Sequence, residues 1–163
     1  MGGAMRAAVR VMVFLVVPAL APASAAAFGL NDLQGRWRGE GVLALADEPP
    51  QRLRCLIRFR DSSGGRSVFS GRCATAQAAQ SFVYLLHPLG GGRLRAENRA
   101  EPPHELPDEM TGSLHDDAVL TFEASGEAVF ELRLEGEQIQ FSIQSERGET
   151  RGRGEAVLQR QQE

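Results

Sequence analysis

From Gly35 onward the chain alternates. Trp37, Gly39, Gly41, Leu43 and Leu45 occupy one set of alternate positions, and Arg36, Arg38, Glu40, Val42 and Ala44 occupy the other. A two-residue period is that of a strand with one face on a core and one in water. After the break Asp47-Glu48-Pro49-Pro50, Leu53, Cys55, Ile57 and Phe59 share a face, while Arg52, Arg54, Arg58 and Arg60 fall on the opposite one. The run Asp61-Ser62-Ser63-Gly64-Gly65 reads as a turn. Ser67, Phe69, Gly71 and Cys73 then return on the apolar face. Folding this hairpin about Gly64 places Phe59 opposite Phe69, Ile57 opposite Gly71 and Cys55 opposite Cys73. The register therefore predicts a Cys55–Cys73 disulfide, because directly opposed residues of an antiparallel pair lie within bridging range.

The same alternation recurs at Phe82, Tyr84 and Leu86, and weakly at Leu94, Ala96 and Asn98. It returns at Met110–Leu114, at Leu120 and Phe122, at Phe130, Leu132 and Leu134, at Ile139, Phe141 and Ile143, and at Ala156 and Leu158. Turn signals separate these runs at Pro88–Gly92, His115–Asp117, Ser125-Gly126, Glu135-Gly136 and Arg147-Gly148, and Ala100–Asp108 is a proline-rich break. No long helical period competes; a short helix is expected around Asn31–Gln34 or Gln77–Ser81. About eight to ten short strands at roughly ten-residue spacing predict an all-β fold, an antiparallel up-and-down barrel, with a sandwich as the alternative. A transmembrane barrel would carry an apolar band outside, flanked by aromatic girdles. Here the face opposite the apolar one is rich in Arg, Glu and Gln, and the chain has one Trp and one Tyr.

The first 27 residues read differently. Arg6 and Arg10 precede the apolar run Val11–Leu20, and Ala23-Ser24-Ala25 and Ala25-Ala26-Ala27 both fit a small-residue cleavage site. Residues 1–27 are therefore expected to be a secretory signal peptide, a signal helix in front of a barrel domain over 28–163. An uncleaved anchor is the alternative, since Val11–Leu30 holds no charge. The leader takes two of the 18 basic residues and none of the 21 acids, so the remainder is more acidic than the whole chain's net −3. That balance gives no nucleic-acid signature. Two cysteines in an exported chain fit one disulfide in an oxidising compartment. Closing a loop of 18 residues contributes about 3 kcal/mol in the chain-entropy model.

Gly35-Arg36-Trp37, following Asn31-Asp32-Leu33, resembles the G-x-W start of the lipocalin and wider calycin superfamily. The pieces G-x-W-x-G-x-G at Gly35–Gly41, RLRC at Arg52–Cys55 and GRCA at Gly71–Ala74 also resemble a group of uncharacterised exported proteins of alphaproteobacteria with lipocalin-like barrels. The resemblance implies a barrel, an exported location (periplasmic or secreted) and, loosely, binding. A second lipocalin motif, T-D-Y, is absent, and no helix follows the last strand signal.

Candidate sites follow from the two faces. Inward, Trp37, Phe59, Phe69, Tyr84, Phe122 and Phe141 are the residues expected to contact a small apolar ligand if the barrel is a cup; the competing picture is a filled core. Outward, Arg38, Arg54, Arg58, Arg60 and Arg72 form a patch for an anionic partner, against the simpler picture of a solvated face with cross-strand pairs such as Glu40 with Arg58. His87, His104 and His115 lack metal-ligand spacing, and no Ser sits in a G-x-S-x-G context. No catalytic residue, metal or cofactor is expected. The sequence thus predicts a non-enzymatic monomer that binds a small apolar ligand or an envelope component, with no nucleic-acid partner and membrane contact only through the leader. Two alternatives remain: a protease-inhibitor-like protein using Phe28–Asp32 as an extended arm, and a structural envelope protein docking through its arginine face.

Overall fold

The computed structural model describes residues 27–46, 48–101, 106–147 and 150–162, without the side chains of 145–147 and 150. The expected signal peptide thus lies outside the described residues, apart from Ala27, as do His104 and Gly148. Ten antiparallel strands form one closed barrel: β1 (Gly35–Leu45), β2 (Gln51–Ser62), β3 (Arg66–Ala74), β4 (Ala79–Gly90), β5 (Arg93–Asn98), β6 (Glu109–His115), β7 (Val119–Ala124), β8 (Glu127–Glu135), β9 (Gln138–Arg147) and β10 (Thr150–Gln161). Each strand pairs with its neighbours in sequence, and β1 pairs with β10 to close the ring. The expected up-and-down barrel is what forms, lipocalin-like in coarse outline. Its interior is apolar and its outer face largely polar, the reverse of a transmembrane barrel.

The β2–β3 hairpin has the register read from the sequence: Phe59 opposite Phe69, Ile57 opposite Gly71, and Cys55 opposite Cys73. The two cysteines are bridged, with Cα atoms 4.1 Å apart. Gly64 and Gly65, at φ of 73° and 70°, make the turn, a conformation that a side chain would strain.

The expected helices are corrected in detail. Leu30–Leu33 is a single 3₁₀ turn, beginning one residue earlier than Asn31. Gln77–Ser81 is not helical: Thr75 accepts from the Gln77 and Ala78 amides through its hydroxyl, and β4 begins at Ala79. The Thr75 hydroxyl offers the backbone a turn in place of a helix.

Closure depends on β1. Trp37, Gly39, Gly41, Leu43 and Leu45 face inward, as alternation requires, and the two glycines leave the strand bare on that side. A Cβ on Gly39 would fall on the Val157 carbonyl, and one on Gly41 on the Glu155 carbonyl, both on β10. The strand therefore coils tightly enough that β2 and β10, which flank it, approach each other. Leu53 of β2 reaches over Gly154 of β10, where a Cβ would lie 2.8 Å from the leucine's Cδ2.

Two stability outcomes are expected. Replacing both cysteines by serine lowers unfolding free energy by about 3 kcal/mol in urea titration, the loop-entropy term. Gly39→Ala costs about 3 kcal/mol or more, since backbone rather than a flexible side chain must give way; circular-dichroism melts of the two variants measure both.

Candidate functional site

The six aromatic residues expected at an inner ligand site are all buried within the barrel. Five of them share one assembly. Phe59 stacks on Phe69 at 4.7 Å between centroids, and Phe69 stacks on Phe122 at 5.5 Å. Phe82 and Phe130, which alternation also turns inward, join Phe69 at 4.9 and 5.4 Å. Phe130 meets Tyr84 and Phe141, each at 6.1 Å. These are ring-to-ring contact distances, so the rings fill much of the barrel's waist by packing against each other.

Trp37 belongs to a different assembly at one end of the barrel. The up-and-down order places the turns at Ser63–Gly65, 91–92, 116–118 and 136–137 at this end, together with the segment entering β1. The Trp37 indole is fully buried and donates from Nε1 to the Leu33 carbonyl at 2.8 Å. The Arg160 guanidinium lies 4.0 Å from the ring centroid. It also donates to the Gln34 carbonyl at 2.6 Å, the Asp32 carbonyl at 2.9 Å and the Glu137 carboxylate at 2.8 Å. One arginine near the end of the last strand thus ties the entering 3₁₀ turn over the tryptophan. The tryptophan fills this end on the side of β1 and β10, and beside it opens a cleft of about 590 Å³ whose lining includes Leu30, Asp61, Arg66, Leu94 and Leu114. Phe28 and Leu30 pack against the core, and the Gly29 amide donates to the Asp32 side chain at 2.8 Å. Phe28–Leu30 are half-buried and Asn31 and Asp32 exposed, and the Leu30–Leu33 turn stands where the inhibitor alternative requires an extended arm.

The opposite end is a mouth. Among the described residues its connections include 75–78, 99–101, 106–108 and 125–126. A cleft of about 620 Å³ opens there, its lining including Gln80, Leu106, Pro107, Val129, Gln144 and Arg151. Two local features shape it. A β-bulge between β7 and β8 pairs Phe122 with Phe130 but Glu123 with Ala128, leaving Val129 extra. The extra residue breaks the alternation, so Val129 and Phe130 are both buried, and Val129 lines the cleft. Opposite it, the loop after β5 is held down by Tyr84, whose hydroxyl donates to the Pro107 carbonyl at 2.7 Å. Burial, with a smaller contribution from the Asp108 carboxylate, raises the Tyr84 hydroxyl well above its ordinary range. The hydroxyl is thus already engaged with the loop. Arg151 meets Glu127 across the rim at 3.4 Å.

On the outside, Arg38, Arg54, Arg58, Arg60 and Arg72 share the outer face of β1–β3. The expected Glu40–Arg58 pair is corrected by the β1–β2 register, which sets Glu40 against Arg54 and Arg36 against Arg58. Glu40 pairs with Arg52 and with Arg54, the latter at 3.2 Å. His87 contacts Glu97 at 3.2 Å and His115 contacts Thr121 at 3.3 Å, two separate places on the surface.

No protein-family model matches the chain, and no curated protein matches it. Four chains of solved structure do match. One is a crystal structure of a protein of unknown function from the DUF3598 family of Nostoc punctiforme. It matches with a TM-score of 0.59 at 18% identity, over 83% of this chain and 50% of that one. The likeness is one of fold. The present chain spans about half the length of that protein.

Tyr84→Phe should keep the barrel and release the loop, costing about 1 kcal/mol for the lost hydrogen bond and speeding proteolysis near Pro107. With the folded-state pKa raised, the native state holds the proton that the unfolded state gives up. The wild-type contribution is therefore complete below about pH 10 and falls as pH rises beyond it; alkaline denaturation of Tyr84→Phe should lack that component.

Proposed function

We propose that this protein is an exported, non-enzymatic binding barrel that takes a small amphiphile at its mouth, above the aromatic assembly rather than within it. The observation that carries the reading is the cleft of about 620 Å³, floored by Leu106 and Val129 and rimmed by Gln80, Gln144 and Arg151. Its volume is within the range of small-molecule clefts, and a few polar groups around an apolar floor is the usual arrangement at barrel mouths. The packed rings beneath it leave a ligand's apolar part to lie across the mouth. Its polar head would exchange with Glu127 on Arg151. Export is supported by the leader and by the Cys55–Cys73 bridge, which persists in oxidising compartments.

The test is native mass spectrometry of the protein taken from its own cells, beside an Ala128→Trp variant that fills the cleft. A retained small amphiphile is expected on the wild type, with at least about tenfold lower affinity in the variant, the equivalent of about 1.4 kcal/mol. A bare wild-type mass, or a ligand held equally by Ala128→Trp, overturns the reading.

A further inference from the structure

The outer face of β1–β3 carries more positive charge than its own sheet accommodates. Arg36 stands directly across from Arg58. Leu56 stands between Arg38 on β1 and Arg72 on β3, with Arg54 and Arg58 two residues away on its own strand and face. Like charges opposed across a sheet destabilise it. Elsewhere the barrel interleaves acids: Arg133 with Asp117, Arg153 with Glu155, Arg160 with Glu137. On this face Glu40 is shared by Arg52 and Arg54, and the Arg52 hydrogen bond holds its carboxyl below the ordinary carboxylate range. Arg36, Arg38, Arg60 and Arg72 have no ion pair or side-chain hydrogen bond among the described residues. All this sits on a chain of net negative charge.

At the centre of the basic field is an apolar side chain. Leu56 is 44% exposed. A soluble polyanion without apolar groups, such as an acidic polysaccharide, would use the guanidinium groups and leave the leucine idle. A phosphate-bearing bilayer uses both, since arginine binds phosphate oxygens in a forked, bidentate way and a leucine among them reaches the boundary of the acyl chains. We propose that the Arg36–Arg38–Leu56–Arg60–Arg72 face is a docking surface for anionic phospholipid bilayers, on which the barrel lies on its side. This rests on residues separate from the mouth, so either proposal stands if the other fails.

The experiment is sedimentation of the full chain with vesicles of phosphatidylcholine alone and of phosphatidylcholine mixed with phosphatidylglycerol, across a salt series. Binding to the mixed vesicles is expected, falling steeply with salt. Arg38→Gln/Arg72→Gln should weaken it roughly 30-fold, taking about 1 kcal/mol per arginine near an anionic surface. Leu56→Ser should weaken it several-fold without changing the salt slope. Arg93→Gln/Arg95→Gln, an equal charge change on β5, should bind as wild type. Any binding through the apolar leader would appear on both vesicle types and ignore the patch variants. Equal loss in the two double variants, indifference to phosphatidylglycerol, or tighter binding to soluble polyglutamate with no effect of Leu56→Ser would overturn the proposal.

Discussion

Everything in this molecule depends on the close passage of β1 against β10. The two strands come from opposite ends of the domain, and their ladder runs from Arg36 opposite Gln161 to Leu45 opposite Gly152. It forms because Gly39 and Gly41 present no side chain where the carbonyls of Val157 and Glu155 must lie. Closure removes the free edges that a ten-strand sheet would otherwise expose. It also allows a tightly coiled wall, in which Leu53 covers what the glycines leave bare. The two glycines beside Trp37 therefore answer to backbone proximity, and the tryptophan to the end of the barrel just beyond them.

With the waist occupied by stacked and edge-on phenylalanines, chemistry is left to the ends and the outside. The two ends are built on different principles. One is braced, on the side of β1 and β10, by a network in which a single guanidinium contacts an indole, two carbonyls and a carboxylate. Such a concentration of charge-assisted bonds on one group fixes the entering turn against the last strand. The other end is covered by a loop whose described tether includes one phenolic hydrogen bond and the burial of Leu106. Backbone bonds from Asn98 to Asp108 and from Arg99 to Val83 anchor the loop at its two ends.

Much of this was legible in the residues. Alternation identified the strands and assigned Phe59, Phe69, Tyr84, Phe122 and Phe141 to the interior. The tight turn at Gly64 made the Cys55–Cys73 bridge readable, because a short hairpin loop sets its own register. The β1–β2 register was not readable in the same way. Its connection is longer, and alternation says only which side a residue faces, so it does not distinguish Arg58 from Arg54 as the residue opposite Glu40. Arg160 carries no local signal, being a polar residue in a polar run whose two carbonyl partners lie more than a hundred positions away. Val129 gives no periodic signal for a different reason: a bulge breaks the period of two at that point. The mouth was beyond reach because the loop that builds it is a proline-rich run with no periodicity of its own.

The order of the strands has a consequence in time. A ring sealed by its first and last members cannot be completed until the last member exists, so on a ribosome or at a translocon the first strand waits with one side uncovered. Long-range pairing of this sort makes folding slow and leaves intermediates with sticky borders. The cysteine hairpin, by contrast, lies wholly in the first half and needs only its own turn. It offers that waiting strand a covalently fastened neighbour long before the final one arrives.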